Sequence, residues 1–126
     1  MRARLSLAVV VALACAAPGH ATGFLSAIED IPLMEGLSET AEPVVFESAF
    51  GRVVQTTARG SAKADAVREF YAAALPALGW MREGASLDFL RENERLTISV
   101  RDAAGSGPVS VTFELVAKLA PSKLPE

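Results

Sequence analysis

Cysteine and histidine occur once each, at Cys15 and His20, and both lie within the first 21 residues. If that stretch is a removable leader, the remaining chain has neither. It then has no disulfide, no thiolate nucleophile, no Cys/His zinc site and no Ser-His-Asp triad. It also lacks any side chain whose ordinary pKa falls between about 5 and 7. The expectation is a chain with no metal, no cofactor and no catalytic residues of these kinds.

Basic charge is also short. Twelve Lys and Arg face 15 Asp and Glu, a net charge of −3. Subtracting the two leader charges, Arg2 and Arg4, takes the remainder to −5. A nucleic-acid partner needs a basic surface, and anionic lipid attracts basic segments; both are disfavoured. The acids are unevenly placed. Glu29, Asp30, Glu35, Glu39, Glu42 and Glu47 all precede Arg52, the first basic residue after the leader. This reads as a solvated acidic arm, with a docking strip for a basic partner as the alternative.

The third thing missing is an apolar run long enough to cross a membrane. Leu5–Ala17 is the longest; as a helix it would reach about 20 Å against a hydrocarbon core of about 30 Å. What it does match is a secretory signal. Arg2 and Arg4 form a positive start, Pro18-Gly19 breaks the helix, and Gly19 and Ala21 supply small residues for cleavage after Ala21. Residues 1–21 are therefore read as a signal peptide, with no transmembrane helix after processing and a periplasmic or secreted destination. Ala12-Leu13-Ala14 before Cys15 is an imperfect lipoprotein box, and a lipid-anchored structural envelope protein is the alternative.

About 105 residues then remain, enough for one modest core. Residues 22–43 read as the acidic arm, 44–117 as a single α+β domain and 118–126 as a tail. In the arm, Phe24, Leu25, Ile31, Leu33, Met34 and Leu37 are apolar. Packing on the domain is one reading; a binding segment for an envelope protein or apolar partner is the sharper one. Val44–Arg59 reads as a hairpin turning at Ser48-Ala49-Phe50-Gly51, with Val54, Thr56 and Ala58 as its buried face.

Ser61–Leu78 carries the clearest helical pattern. Val67, Phe70, Tyr71, Ala74, Leu75 and Leu78 form one apolar stripe, with Ser61 as N-cap. Pro76 predicts a kink or a loosened last turn. Gly79 suits the position after the helix, and Trp80 folds back onto its end. Trp80–Ala117 then reads as a meander. A turn at Asn93-Glu94 would set Phe89 opposite Ile98, Leu87 opposite Val100 and Glu92 opposite Arg95. Val100 would pair with Val109 or Val111. The whole predicts a two-layer α+β fold, one helix on an antiparallel sheet of five or six short strands, in the order β-β-α-β-β-β-β.

The segment Ile31-Pro32-Leu33-Met34-Glu35-Gly36-Leu37, with Phe70-Tyr71, Leu75 and Leu78-Gly79-Trp80, resembles a loose group of small exported bacterial envelope proteins and lipoproteins of uncharacterised function. The resemblance implies a compact sheet with one helix and residence in the envelope. It carries over no active site.

Three further patterns bear on chemistry. Asp88, Glu92 and Glu94 cluster on one hairpin, the raw material of a small carboxylate-based hydrolase, but Arg91 and Arg95 alternate with them and predict a charge-paired surface. Gly105-Ser106-Gly107 lacks the Gly-Lys-Ser/Thr of a phosphate loop. Trp80 and Tyr71 could form a ligand platform, or cap the core. The reading that emerges is an exported, non-catalytic module that binds a protein or apolar partner.

Overall fold

A computed structural model describes residues 21–102 and 107–118. Residues 1–20, on which most of the expected signal peptide falls, residues 103–106, which include Gly105-Ser106, and residues 119–126 lie outside the described residues. The chain runs β1 (Ala21–Phe24), β2 (Pro32–Met34), β3 (Leu37–Glu39), β4 (Val44–Ser48), β5 (Gly51–Gly60), α1 (Ala64–Ala77), β6 (Met81–Glu83), β7 (Asp88–Arg91), β8 (Glu94–Arg101) and β9 (Val109–Lys118). Among the described residues it is an α+β fold, with one helix packed on an antiparallel sheet.

That sheet has seven strands in the order β3-β5-β9-β8-β7-β6, with β4 also on β5. The four strands after the helix are those the sequence predicts. The difference lies before it. The arm supplies three short strands, so the count exceeds five or six. β1 and β2 form a separate antiparallel ribbon, and β3 joins the main sheet against Arg59 and its neighbours. β3 and β4 share one edge of β5, interrupted where residues 40–43 stand opposite Thr56-Thr57. Pro43 in that interruption has no N–H to give a ladder, which suits it to an irregular edge.

One sheet face carries the core. Val54, Thr56 and Ala58 of β5 are buried, as the pattern predicts, together with Leu96 and Ile98 of β8 and the alternating Val109, Val111, Phe113 and Leu115 of β9. Over them lie α1 and the β1–β2 ribbon with its loop. Val67, Tyr71 and Leu75 point down from the helix, and Leu25, Ile28 and Ile31 from the ribbon. Fully burying an aliphatic side chain of this size stabilises by roughly 1.5–3 kcal/mol, so the arm is a substantial part of the core.

Two polar devices fix it there. The Tyr71 hydroxyl donates to the Pro32 carbonyl at 2.8 Å and accepts from the Met34 N–H at 3.3 Å. Burial pushes its pKa up to about 12, against the lowering effect of the Met34 hydrogen bond. Glu39 Oε1 accepts from the Ser26 N–H, the Ser26 hydroxyl and the Thr56 hydroxyl. That acid is half-buried and structural; Glu29, Asp30, Glu35, Glu42 and Glu47 are exposed.

The helix begins later than Ser61. Its N-cap is Lys63, which makes no side-chain capping bond. β5 runs to Gly60, and the three residues after it carry the chain from the sheet to the helix layer, a reach of about 10 Å. The far end follows the expectation. The Gly79 N–H donates to Pro76 and the Trp80 N–H to Leu75, with Gly79 at φ 92°; this is a Schellman ending. At Pro76 the outcome differs: the Leu78 N–H reaches to Leu75, so the last turn is tightened where the sequence predicts a kink or a loosened turn, because Pro76 itself has no N–H to bond. Because the chain turns away here, Leu78 is exposed and Trp80 takes the buried place. Phe70 and Ala74 are half-buried, so the buried stripe is narrower than the sequence pattern.

Candidate functional site

The opposite face of the sheet has no helix or strand over it among the described residues. Its composition follows from register. Phe46 stands opposite Val53, Val53 opposite Val116, Val116 opposite Arg95, Arg95 opposite Leu90 and Leu90 opposite Met81. Directly opposed residues in an antiparallel ladder share a face. One row therefore crosses β4, β5, β9, β8, β7 and β6, apolar except at Arg95.

This row is open to solvent. Phe46 is 71% exposed and Met81 74%, with Val53 and Leu90 at 37% each. Arg95 turns its guanidinium to Glu83 at 3.1 Å, which leaves its aliphatic stem to bridge the row. At the β4–β5 end the chain turns through Ala49-Phe50, and Phe50 projects from the tip, 87% exposed. Phe46, Phe50, Val53 and Val116 line a groove of about 590 Å³ there, with Arg52 and Lys118 at its rim.

The arm residues are placed differently. Leu25, Ile31 and Leu37 are buried in the core, and Leu33 and Met34 are half-buried against it. Only Phe24 is exposed. These six residues do not form a surface: core packing has consumed five of them. The β1–β2 loop is stabilised from within, by the Leu25 N–H donating to the Ile31 carbonyl, so the arm is not a free segment.

The carboxylates do not converge. Asp88 accepts from the Thr97 hydroxyl at 2.8 Å on the open face. Glu94 pairs with Arg91 at 3.4 Å on the other side of the sheet, where the Arg91 guanidinium also stacks over Trp80 at 4.3 Å. Glu92 occupies the hairpin turn at φ 53°. Since the turn is Glu92-Asn93, Phe89 opposes Leu96 instead of Ile98, and Arg91 opposes Glu94. The expected Glu92–Arg95 pair is replaced by Arg91–Glu94 and Arg95–Glu83. Val100 does pair with Val111. Tyr71 and Trp80 are both buried and form no platform. Among the described residues no cluster of three or more His, Cys, Asp or Glu could hold a metal, and no helix is long and apolar enough to cross a membrane.

No family model, curated protein or solved structure matches the chain. The sequence signal for the row is a set of doubled apolar residues: Val45-Phe46, Val53-Val54, Phe89-Leu90 and Leu115-Val116. In the last three pairs one residue is buried in the core, so the other must face outward.

Proposed function

We propose that this protein is an exported, non-catalytic module of the cell envelope, periplasmic or secreted, that binds a protein or apolar partner on the open face of its sheet. Export is supported by the signal pattern of residues 1–21, with maturation after Ala21. Envelope residence is in keeping with the resemblance described above. The observation that carries the binding role is the row Phe46-Val53-Val116-Arg95-Leu90-Met81. Contiguous exposed apolar surface is uncommon on monomeric proteins and marks interaction sites. Binding in place of catalysis is supported by the carboxylates, which stand on different faces and already have partners at Asp88 and Glu94.

The apolar character is testable with Nile red, a neutral probe. The mature chain should enhance its fluorescence saturably. Phe46→Ser and Leu90→Ser should each reduce that signal while leaving stability within about 0.5 kcal/mol, as expected of surface positions. A dye response that neither substitution changes would remove the row from consideration. Mass spectrometry of the exported form tests maturation: Thr22 at the N-terminus is the expected result, and a modified Cys15 would replace it with a lipid anchor.

A further inference from the structure

The open face has a second, chemically different end. Arg59 of β5 stands opposite Ser110 of β9, and Ser110 opposite Arg101 of β8. The next row inward is Thr57, Thr112 and Ser99. Two guanidinium groups thus flank a floor of hydroxyls, their Cα atoms two strand spacings apart, about 10 Å. Arg59, Arg101, Ser99, Ser110 and Thr112 line a depression of about 500 Å³, together with Asp102 and Pro108.

These two arginines differ from the others among the described residues. Arg52 bonds the Ala27 carbonyl, Arg68 bonds Asp65, and Arg82 bonds the Ala85 and Ser86 carbonyls. Arg91 bonds Leu78 and Glu94, and Arg95 bonds Glu83. Arg59 and Arg101 have no protein acceptor among the described residues, and they border the same depression. In a chain of net negative charge, these two guanidinium groups, without an acceptor among the described residues, stand on one side of one sheet.

The geometry points to an anion site at Arg59, Ser110 and Arg101 that takes a phosphoryl group. Each guanidinium offers a planar fork of donors suited to two oxygens. A phosphoryl group carries three or four oxygens in a tetrahedron and can meet both forks on different edges while still accepting from a floor hydroxyl; a planar carboxylate has only two oxygens to share among the same donors. Asp102 opposes the anion and weakens the site. The phosphoryl group could be the free anion or one end of an ester. The site lies six residues along β9 from Val116, about 20 Å from the apolar row, and stands or falls separately from it.

The test is a titration of the isotope-labelled mature chain at low ionic strength, where screening is weakest, followed by NMR. The titrants are inorganic phosphate, glycerol phosphate, acetate and sodium chloride. Phosphate should shift the Arg59, Ser110 and Arg101 signals saturably, and acetate should bind more weakly. Arg59→Gln and Arg101→Gln should each weaken binding by about ten-fold or more, and Asp102→Asn should strengthen it. Tighter binding of glycerol phosphate would identify an ester as the ligand, and equal affinity the free anion. Should either arginine variant fail to fold, Asp102→Asn and Ser110→Val carry the same test with opposite expected signs. Shifts that do not saturate, that chloride reproduces, or that the substitutions leave unchanged would overturn the assignment. So would acetate binding as tightly as phosphate.

Discussion

The Tyr71 hydroxyl lies 2.8 Å from the Pro32 carbonyl, joining the middle of the helix to the ribbon built by the arm. The same oxygen accepts from Met34, so one side chain holds both ends of β2. Tyr71→Phe would keep the ring packed on Phe113 but strand the buried Pro32 carbonyl and remove the acceptor of the part-buried Met34 N–H. The expected cost is about 1–3 kcal/mol, read from denaturant melts.

Tyr71 also sets an alkaline limit. Its pKa is about 12 in the fold against 10.0 in the open chain. Below pH 10 the hydroxyl is protonated in both states and its contribution is intact. As pH rises from 10 to 12 only the unfolded chain loses the proton, so stability falls, by roughly 2–3 kcal/mol in all. The Phe variant should lack this contribution. If both proteins lose stability equally between pH 9 and pH 12, the hydroxyl is not buried as described.

Helix truncations should rank by burial. Leu75→Ala should cost about 2–5 kcal/mol, because Leu75 is buried within the core cluster. Phe70→Ala should cost less than the 3–5 kcal/mol of a fully buried ring, because Phe70 is half-buried. Leu78→Ala, at 40% exposure, should cost least. Thermal melts of the three variants check the order, and a Leu78 variant as damaged as the Leu75 one would contradict the helix ending.

Gly60 is fixed by close approach. A Cβ there would fall on the Gly36 carbonyl and crowd Leu37, at the point where β3 meets β5. Gly60→Ala should therefore cost about 3 kcal/mol or more, at the upper end for inserted atoms. At Gly84 a Cβ would have nothing within 4 Å, and only the φ of 71° resists substitution. Gly84→Ala should cost about 1 kcal/mol. Comparable losses at both sites would argue against the β3–β5 junction.

What could be read from the residues, and what could not, follows from how local each feature is. The Gly79-Trp80 helix ending and the Ser48–Gly51 turn are decided by a few adjacent residues, and both were legible. Alternation identified the buried faces of β5 and β9. It could not set the β7–β8 register, since moving a partner by two residues keeps every side chain on its face. The turn decided that register, and Glu92 at φ 53° is a residue type that does not announce such a backbone. The arm strands are three or four residues long, too short to show a period. The apolar row joins six residues of six strands and exists only through register; the sequence held the doubled apolar pairs but not their alignment. Arg59 and Arg101 lie 42 positions apart and meet only across β9.

The central claim is that the partner-binding surface is the open sheet face. A photoreactive amino acid can be placed at Phe46 or Met81 on that face, and at Arg68 on the exposed side of the helix. Each chain would be expressed at full length, residues 1–21 included, and irradiated in the cells that produce it. The account predicts discrete crosslinked products from positions 46 and 81 and none from 68. Products from position 68 alone, or from no position, would contradict it.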